Sequence, residues 1–379
     1  MSAEGMEYDA ADITVLEGRE AVRKRPGMYV GSTRQRGLHH VVLEVVGRAV
    51  NEVLAGRAGS VDVTLTSDGG VRVADDGVTA GGSCGVDLDA ELTSFHVGSG
   101  FSGRRSAVVG PFGVGLYVVN ALSSRLTAEG THWAKAYARG VEVDPPATAG
   151  AASGDGTTIA FWPDAEIFET TWCSFAVLAE RFRQLAFLNR GLAISLTDER
   201  PADGARAVLF RFPDGVRDFV AALDAEAGGA TDPEVIGFER EDPRMAGTME
   251  VALRWSGSAA PIRGFVNSVA TREGGTHVDG FRAGAVAAVT TYARERGLAA
   301  AADLDACADR IVEGVTAVVS VKLDEPEFLG ATRQLLGNAE VRGCVEEAVR
   351  EHLGDWFAAH PEQAARVVDD HVTRVMRRD

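Results

Sequence analysis

Cysteine is scarce, and its spacing excludes more than its number does. Cys84, Cys173, Cys307 and Cys344 lie far apart and none belongs to a Cys-x-x-Cys pair. Neither a zinc site nor a disulfide framework is expected, which leaves isolated buried thiols. Long apolar runs are lacking as well: no segment reaches the ~18 uninterrupted apolar residues that a membrane span needs. The N-terminal stretch MSAEGMEYDAADITVLEG is acidic and has no apolar core of a signal peptide. A cytoplasmic protein with no membrane partner is expected. Positive charge is also short, since 38 Lys plus Arg stand against 55 Asp plus Glu for a net charge of -17 spread along the chain. Duplex phosphate is bound by clustered cations, so autonomous nucleic-acid binding is not expected.

What is present suits a folded chain. With 45% hydrophobic and 25% charged residues the composition is that of a globular protein, and 379 residues allow roughly two domains at ~100 to 200 residues each. Three seams are legible: a turn at Gly31 to Gly37, a small-residue loop from Asp144 to Thr158, and a Gly/Asp/Pro-rich connection from Asp224 to Pro243. Val61, Val63 and Leu65 alternate with polar residues, Ser67 to Gly70 can turn, and Val71 and Val73 resume the period of two, which predicts a hairpin. Asp75 falls on the face of Val71 and Val73, so a carboxylate points into an apolar layer and requires a partner. Downstream, MEVALRW and TAVVSVKL read as strands, and Gly280 to Arg296 and Asn338 to Ala359 as helices.

Two segments invite chemistry. A helix from about Leu38 to Ala55 buries Val42, Val45, Val46, Ala49, Val50 and Val53, while Glu44, Arg48, Asn51 and Glu52 form a polar stripe at i, i+4, i+7 and i+8. By periodicity alone that stripe is a solvated face before it is a functional one. The run Gly110 to Gly115, GPFGVG, precedes the helical period of LYVVNALSSRL. Glycines there can turn backbone N–H groups toward an anion, and a tight turn explains them about as well.

Taken in order, VLEGREAVRKRPGMYVG, the Glu44 helix, VADDG at Val73 to Gly77, GPFGVGLYVVNALS and GTTIAFWPD at Gly156 to Asp164 strongly resemble the ATPase domain of the DNA gyrase B and topoisomerase IV family, in the GHKL group. FVNSVATREGGTHVDGFRAG, EGVTAVVSVKL and FLGATRQLLGNAEVR resemble its transducer domain, so the likeness covers nearly the whole chain. It implies an α+β protein: a GHKL-type α/β sandwich over residues 1–225 with an N-terminal dimerisation arm, then an α+β, ribosomal S5-like transducer over 226–379. By the same resemblance Glu44 is the general base that activates water toward the γ-phosphate of ATP. Asp75 accepts from the adenine amino group with support from Thr157 and Thr79. Gly110, Gly113, Val114 and Gly115 cradle the triphosphate, Asn51 belongs to the same cleft, and an arm carrying Tyr8 and Ile13 crosses to a second copy. That arm implies a homodimer or pairing with gyrase subunits. No DNA-cleavage or DNA-binding domain is recognisable, so a topoisomerase is not expected from this chain by itself.

The departures from the family concentrate at the phosphates. Its magnesium-binding asparagine is replaced by Arg48, whose guanidinium has no lone pair for a metal, and the aspartate before it by Gly47. Magnesium binding is therefore not expected at that position. Arg48, four residues beyond Glu44, is placed to pair with it and lower its strength as a base. The opposing reading sets Arg48 directly against phosphate in place of the metal. The lid FSGRRSAVVGPFGVG puts Ser106, Pro111 and Phe112 at the family's lysine, amide-donor and histidine positions, and proline has no N–H. Val78, Thr79 and Ala80 replace the family's segment after the aspartates. The chain's lysines are Lys24, Lys135 and Lys322, and the family's transducer lysine falls on Arg333.

Three functions fit this pattern. The first is a ligand-binding protein that keeps an adenine-type pocket with impaired or absent hydrolysis, a decoy or modulator linked to gyrase-directed inhibitors. The second is a cleft repurposed as a small-molecule enzyme of specialised metabolism using Glu44, Arg48 and Asp75. The third is an active ATP-hydrolysing clamp.

Overall fold

The predicted hairpin forms as expected and is the centre of the first unit. In the computed structural model, which describes residues 17–77, 88–95, 107, 109, 113–130, 133–145, 156–228, 234–255, 262–298, 311–312, 314–330 and 332–370, three helices come first: α1 (Gly18–Lys24), α2 (Gly27–Val30) and α3 (Gln35–Leu54). The hairpin strands β1 (Ser60–Leu65) and β2 (Val71–Asp75) follow, with Val63 opposite Val73. Next come α4 (Leu88–Thr93), α5 (Gly115–Ala121), β3 (Ser123–Gly130), β4 (Trp133–Ala138), β5 (Val141–Val143), β6 (Thr158–Pro163), α6 (Phe175–Leu188), β7 (Ala193–Asp198) and β8 (Arg206–Phe210). The eight strands make one sheet in the order β5-β4-β3-β6-β2-β1-β7-β8, parallel only between β1 and β7. The apolar stripe of α3 lies on this sheet: Val42, Val46 and Val50 share a core with Val61, Val73, Leu126 and Phe161.

The second unit holds α7 (Val216–Glu226), β9 (Ile236–Asp242), β10 (Gly247–Trp255), β11 (Arg263–Val266), β12 (Val269–Ala270), β13 (Gly274–Gly275), α8 (Thr276–Glu295), β14 (Val315–Leu323), β15 (Leu335–Leu336), α9 (Ala339–Ala359) and α10 (Pro361–Val368). Its main sheet runs β12-β11-β14-β10-β9. The near-continuous apolar run of β14 is explained by two covered faces. Val319 and Val321 pack with Phe281 and Val345 of α8 and α9, while Val318 packs with Phe219 of α7 and Phe187 of α6. Helices α8 and α9 approach closely because Gly280 and Gly284 carry no side chain. A Cβ at either would lie 2.4 or 2.6 Å from the carbonyl of Arg342 or Glu346.

Three sequence expectations need correction. The connection predicted from Asp224 to Pro243 is mostly regular structure, because α7 runs through Glu226 and β9 begins at Ile236. Asp224 is buried, not looped out. Arg254 meets it at 3.2 Å and Thr316 donates to it, and these partners make its burial tolerable. The helix predicted through LYVVNALSSRL ends at Ala121, since Ser123 onward pairs with β6 and tertiary pairing overrides local period. Helix α8 starts four residues before the predicted Gly280, at Thr276.

The end of β2 is set by a close backbone approach. Gly156 lies against Asp75 so tightly that a Cβ would stand 1.8 Å from the Asp75 carbonyl oxygen. Gly156→Ala is expected to lower the unfolding free energy by about 1 to 3 kcal/mol, as overpacking does. Denaturant titration checks this, and an unchanged midpoint would mean that the approach is not a constraint.

Candidate functional site

Helix α3 carries Glu44 to the start of α5. Glu44 Oε1 accepts from the N–H of Gly113 at 3.1 Å and Oε2 from Gly115 at 3.2 Å. Gly113 and Gly115 have φ of +58° and +76°, a region that favours glycine, and Val114 between them is the residue that caps α5. The glycines do turn their amides toward an anion, and here that anion is the Glu44 carboxylate. Burial pushes the Glu44 carboxyl above its ordinary range, and the amides of Gly115, Val114 and Gly113 draw it part of the way back.

Arg48 does not join Glu44, contrary to the pairing expected from their i, i+4 spacing. Its Nη1 lies 3.2 Å from Asp75 Oδ2, Nη2 3.6 Å from Glu52 Oε1, and Nε 3.7 Å from Glu91 Oε2. Three carboxylates, from β2, α3 and α4, gather around the guanidinium, while the backbone satisfies Glu44. The lowering of Glu44 by Arg48 is corrected with it, since the shift of Glu44 is upward and has burial as its first cause.

Asp75 is the inward carboxylate that the hairpin pattern demanded, and it is buried. Its Oδ1 faces the N–H groups of Gly77 and Thr157, each at 3.3 Å, and its own N–H donates to the Thr157 carbonyl at 3.0 Å. Thr157 thus reaches Asp75 through its backbone. Burial raises the Asp75 carboxyl, and Arg48 with the two amides opposes that. Glu52 is shared between Arg48 at 3.6 Å and Arg57 at 2.5 Å.

Sequence reasoning missed Glu91. It sits on α4 between the buried Leu88 and Leu92, and burial pushes its carboxyl up to about 7, with Arg48 lowering and Glu52 raising it. The available signal was a glutamate on the apolar stripe of LDAELT, three residues after one leucine and one before the next.

Other expected site residues are placed differently. Asn51 is buried with both ends of its amide on the Ala107 backbone, accepting at 2.8 Å and donating at 3.3 Å. It fastens the Ala107 backbone to α3. Gly47 allows the same approach, since a Cβ there would meet Val109 at 3.2 Å. Arg333 is exposed at φ +53° and makes no hydrogen bond or ion pair among the described residues, so it is not brought to the cluster. Tyr8, Ile13, Val78, Thr79, Ala80, Ser106, Gly110, Pro111 and Phe112 lie outside the described residues. Magnesium does not fit the position one turn after Glu44, because the guanidinium of Arg48 stands there and has no lone pair for a metal.

A sandwich whose long helix brings a glutamate to a glycine turn, beside a strand ending in a buried aspartate, is the GHKL ATPase fold, followed here by a gyrase-type transducer. The family model described as histidine kinase-, DNA gyrase B- and HSP90-like ATPase matches residues 33–167, and that of DNA gyrase B matches residues 215–379. The gyrase B protein of Streptomyces coelicolor is 44% identical over 95% of this chain and 56% of its own length. A novobiocin-resistant gyrase B of Streptomyces niveus is 44% identical over 95% and 57%. The 43K ATPase domain of Thermus thermophilus gyrase B, solved with an aminocoumarin, superposes with a TM-score of 0.78 at 30% identity, covering 95% of this chain and 96% of that one. The chain belongs to the DNA gyrase B family. It spans a little over half the length of the curated relatives it matches.

The Glu91 shift has a pH consequence. Below its ordinary 4.5 the carboxyl is protonated in both folded and unfolded chains, and above about 7 it is ionised in both. Between those values the native state holds a proton that the unfolded chain gives up, so stability falls as pH rises through this window, by about 3 kcal/mol at most. Glu91→Gln should flatten that fall in urea titrations from pH 5 to 7.5; an identical slope in the variant would refute the assignment.

Proposed function

We propose that this chain is a gyrase-B-like nucleotide-binding unit whose cleft takes ATP or another adenine-type small molecule, with hydrolysis impaired or absent. The observation that carries the reading is the Glu44 carboxylate held by the amides of Gly113 and Gly115. A general base must turn a lone pair to the attacking water, and each oxygen of Glu44 is turned toward a backbone amide instead. The same two amides are the donors that the family resemblance sets against phosphate. Arg48 in place of a metal-ligating side chain supports the reading one turn further along the same helix, since it leaves no magnesium ligand there.

The role that fits is a decoy or modulator connected with gyrase-directed inhibitors. Two of its relatives support this, one a novobiocin-resistant gyrase B and the other a gyrase domain solved with an aminocoumarin. Pairing through the arm that carries Tyr8, with a second copy or with gyrase subunits, belongs to the same proposal. A second reading, a cleft repurposed for small-molecule chemistry, is favoured by Glu91, an acid-base group tuned near neutrality beside Arg48.

Calorimetry with ATP and ADP, run beside phosphate release with magnesium present, tests the proposal. Binding is expected, with turnover no more than about twofold above that of Glu44→Gln. Magnesium-dependent turnover that Glu44→Gln abolishes would restore the active clamp. No nucleotide binding at any concentration would leave the repurposed cleft.

A further inference from the structure

The position of Arg48 changes what Asp75 can recognise. A lone buried carboxylate offers acceptors only, and so selects a ligand edge that donates, such as the amino group of a 6-aminopurine. A 6-oxopurine would set its carbonyl lone pairs against the carboxylate, and a site built for one hydrogen-bonding group rejects an analogue that leaves it unpaired. Here Oδ2 of Asp75 has a guanidinium nitrogen 3.2 Å away. The same edge therefore presents a donor and an acceptor side by side.

The remaining geometry keeps those donors available. Nη2 and Nε of Arg48 lie 3.6 and 3.7 Å from Glu52 and Glu91, beyond hydrogen-bond reach, so the two carboxylates hold the guanidinium by charge without consuming its N–H groups. The Arg48 side chain is 14% exposed against 4% for Asp75, so of the two it is the more accessible to a ligand. A lactam matches that edge: its carbonyl accepts from Arg48 while its ring N–H donates to a neighbouring carboxylate. The donor and acceptor of that edge suit guanine or hypoxanthine as well as adenine.

We propose that Arg48 is the specificity-determining residue of this cleft, and that it makes the pocket accept 6-oxopurine nucleotides at least as well as 6-aminopurine ones. The inference rests on the nucleotide-binding reading above. Arg48 acts here by touching the base, with no part in bond making or breaking.

The test is calorimetry on the full chain with ATP, GTP and ITP, in chelator so that no metal contributes. Arg48→Met is compared with the wild type. Because that change strands buried carboxylates, the double variant Arg48→Met with Glu91→Leu is run in parallel, and thermal melts report folding. The wild type is expected to bind GTP and ITP within about threefold of ATP or tighter, and the folded variants to lose them by about tenfold or more relative to ATP. A wild type that prefers ATP by about tenfold, with the same ratio in the variants, overturns the assignment of Arg48 while leaving nucleotide binding intact. Failure of all three nucleotides to bind overturns both.

Discussion

A carboxylate turned into an apolar layer has to be given donors, and Asp75 is where this chain meets that requirement. The period of two in β2 leaves no choice about its direction, since the face that buries Val71 and Val73 buries Asp75 too. Two backbone amides and one guanidinium satisfy it. Drawing Arg48 inward has a cost of its own, since a cation below the surface needs more than one counter-charge. Glu52 and Glu91 supply them, and Arg57 balances Glu52 from the exposed side. One inward side chain thus organises helices α3 and α4 and the hairpin around a single charge cluster.

Glu44 is freed by the same arrangement. With the guanidinium committed elsewhere, its carboxylate turns to the amides at the start of α5, where negative charge is favoured. The two ends of the polar stripe on α3 therefore serve different neighbours one turn apart. The root of the lid is fixed independently, by Asn51 on Ala107 and by Arg181 of α6 on the Val109 carbonyl. Arg181 also donates to the Ser268 carbonyl in the second unit, and Asn189 joins Ser268 to Lys322. Burial lowers Arg181 to about 10 and also lowers Lys322, so two desolvated cations lie along the path from lid root to transducer sheet.

Much of the scaffold was readable from local pattern. The β1–β2 hairpin, the apolar stripe of α3, β10, β14 and the long final helices all follow from periods of 2 or 3.6, which a strand or helix imposes whatever surrounds it. The misread stretches are those where distant pairing overruled the local signal: the short α5, cut off by β3 joining β6, and the Gly/Asp-rich seam whose Asp224 is rescued by Arg254 and Thr316. In the site, Glu44, Asp75, Thr157, Gly113 and Gly115 were singled out by motif, and the structure gives Glu44 to the two glycine amides and Asp75 to the Thr157 backbone. Glu91 could have been found by its place on an apolar stripe, but its partner could not.

The amino-acid sequence by itself determined the family, the inward direction of Asp75, the placement of Glu44 on the polar stripe of α3, and the lack of a metal-ligating side chain at Arg48. All of these depend on residue type and short-range spacing. Only the tertiary structure decided that Arg48 goes to Asp75 and leaves Glu44 to the backbone. A long side chain on a helix can reach several neighbours, and its choice is settled by the sum of charges gathered from strands and helices far away in the chain. That sum exists only once the hairpin and α4 have closed around it.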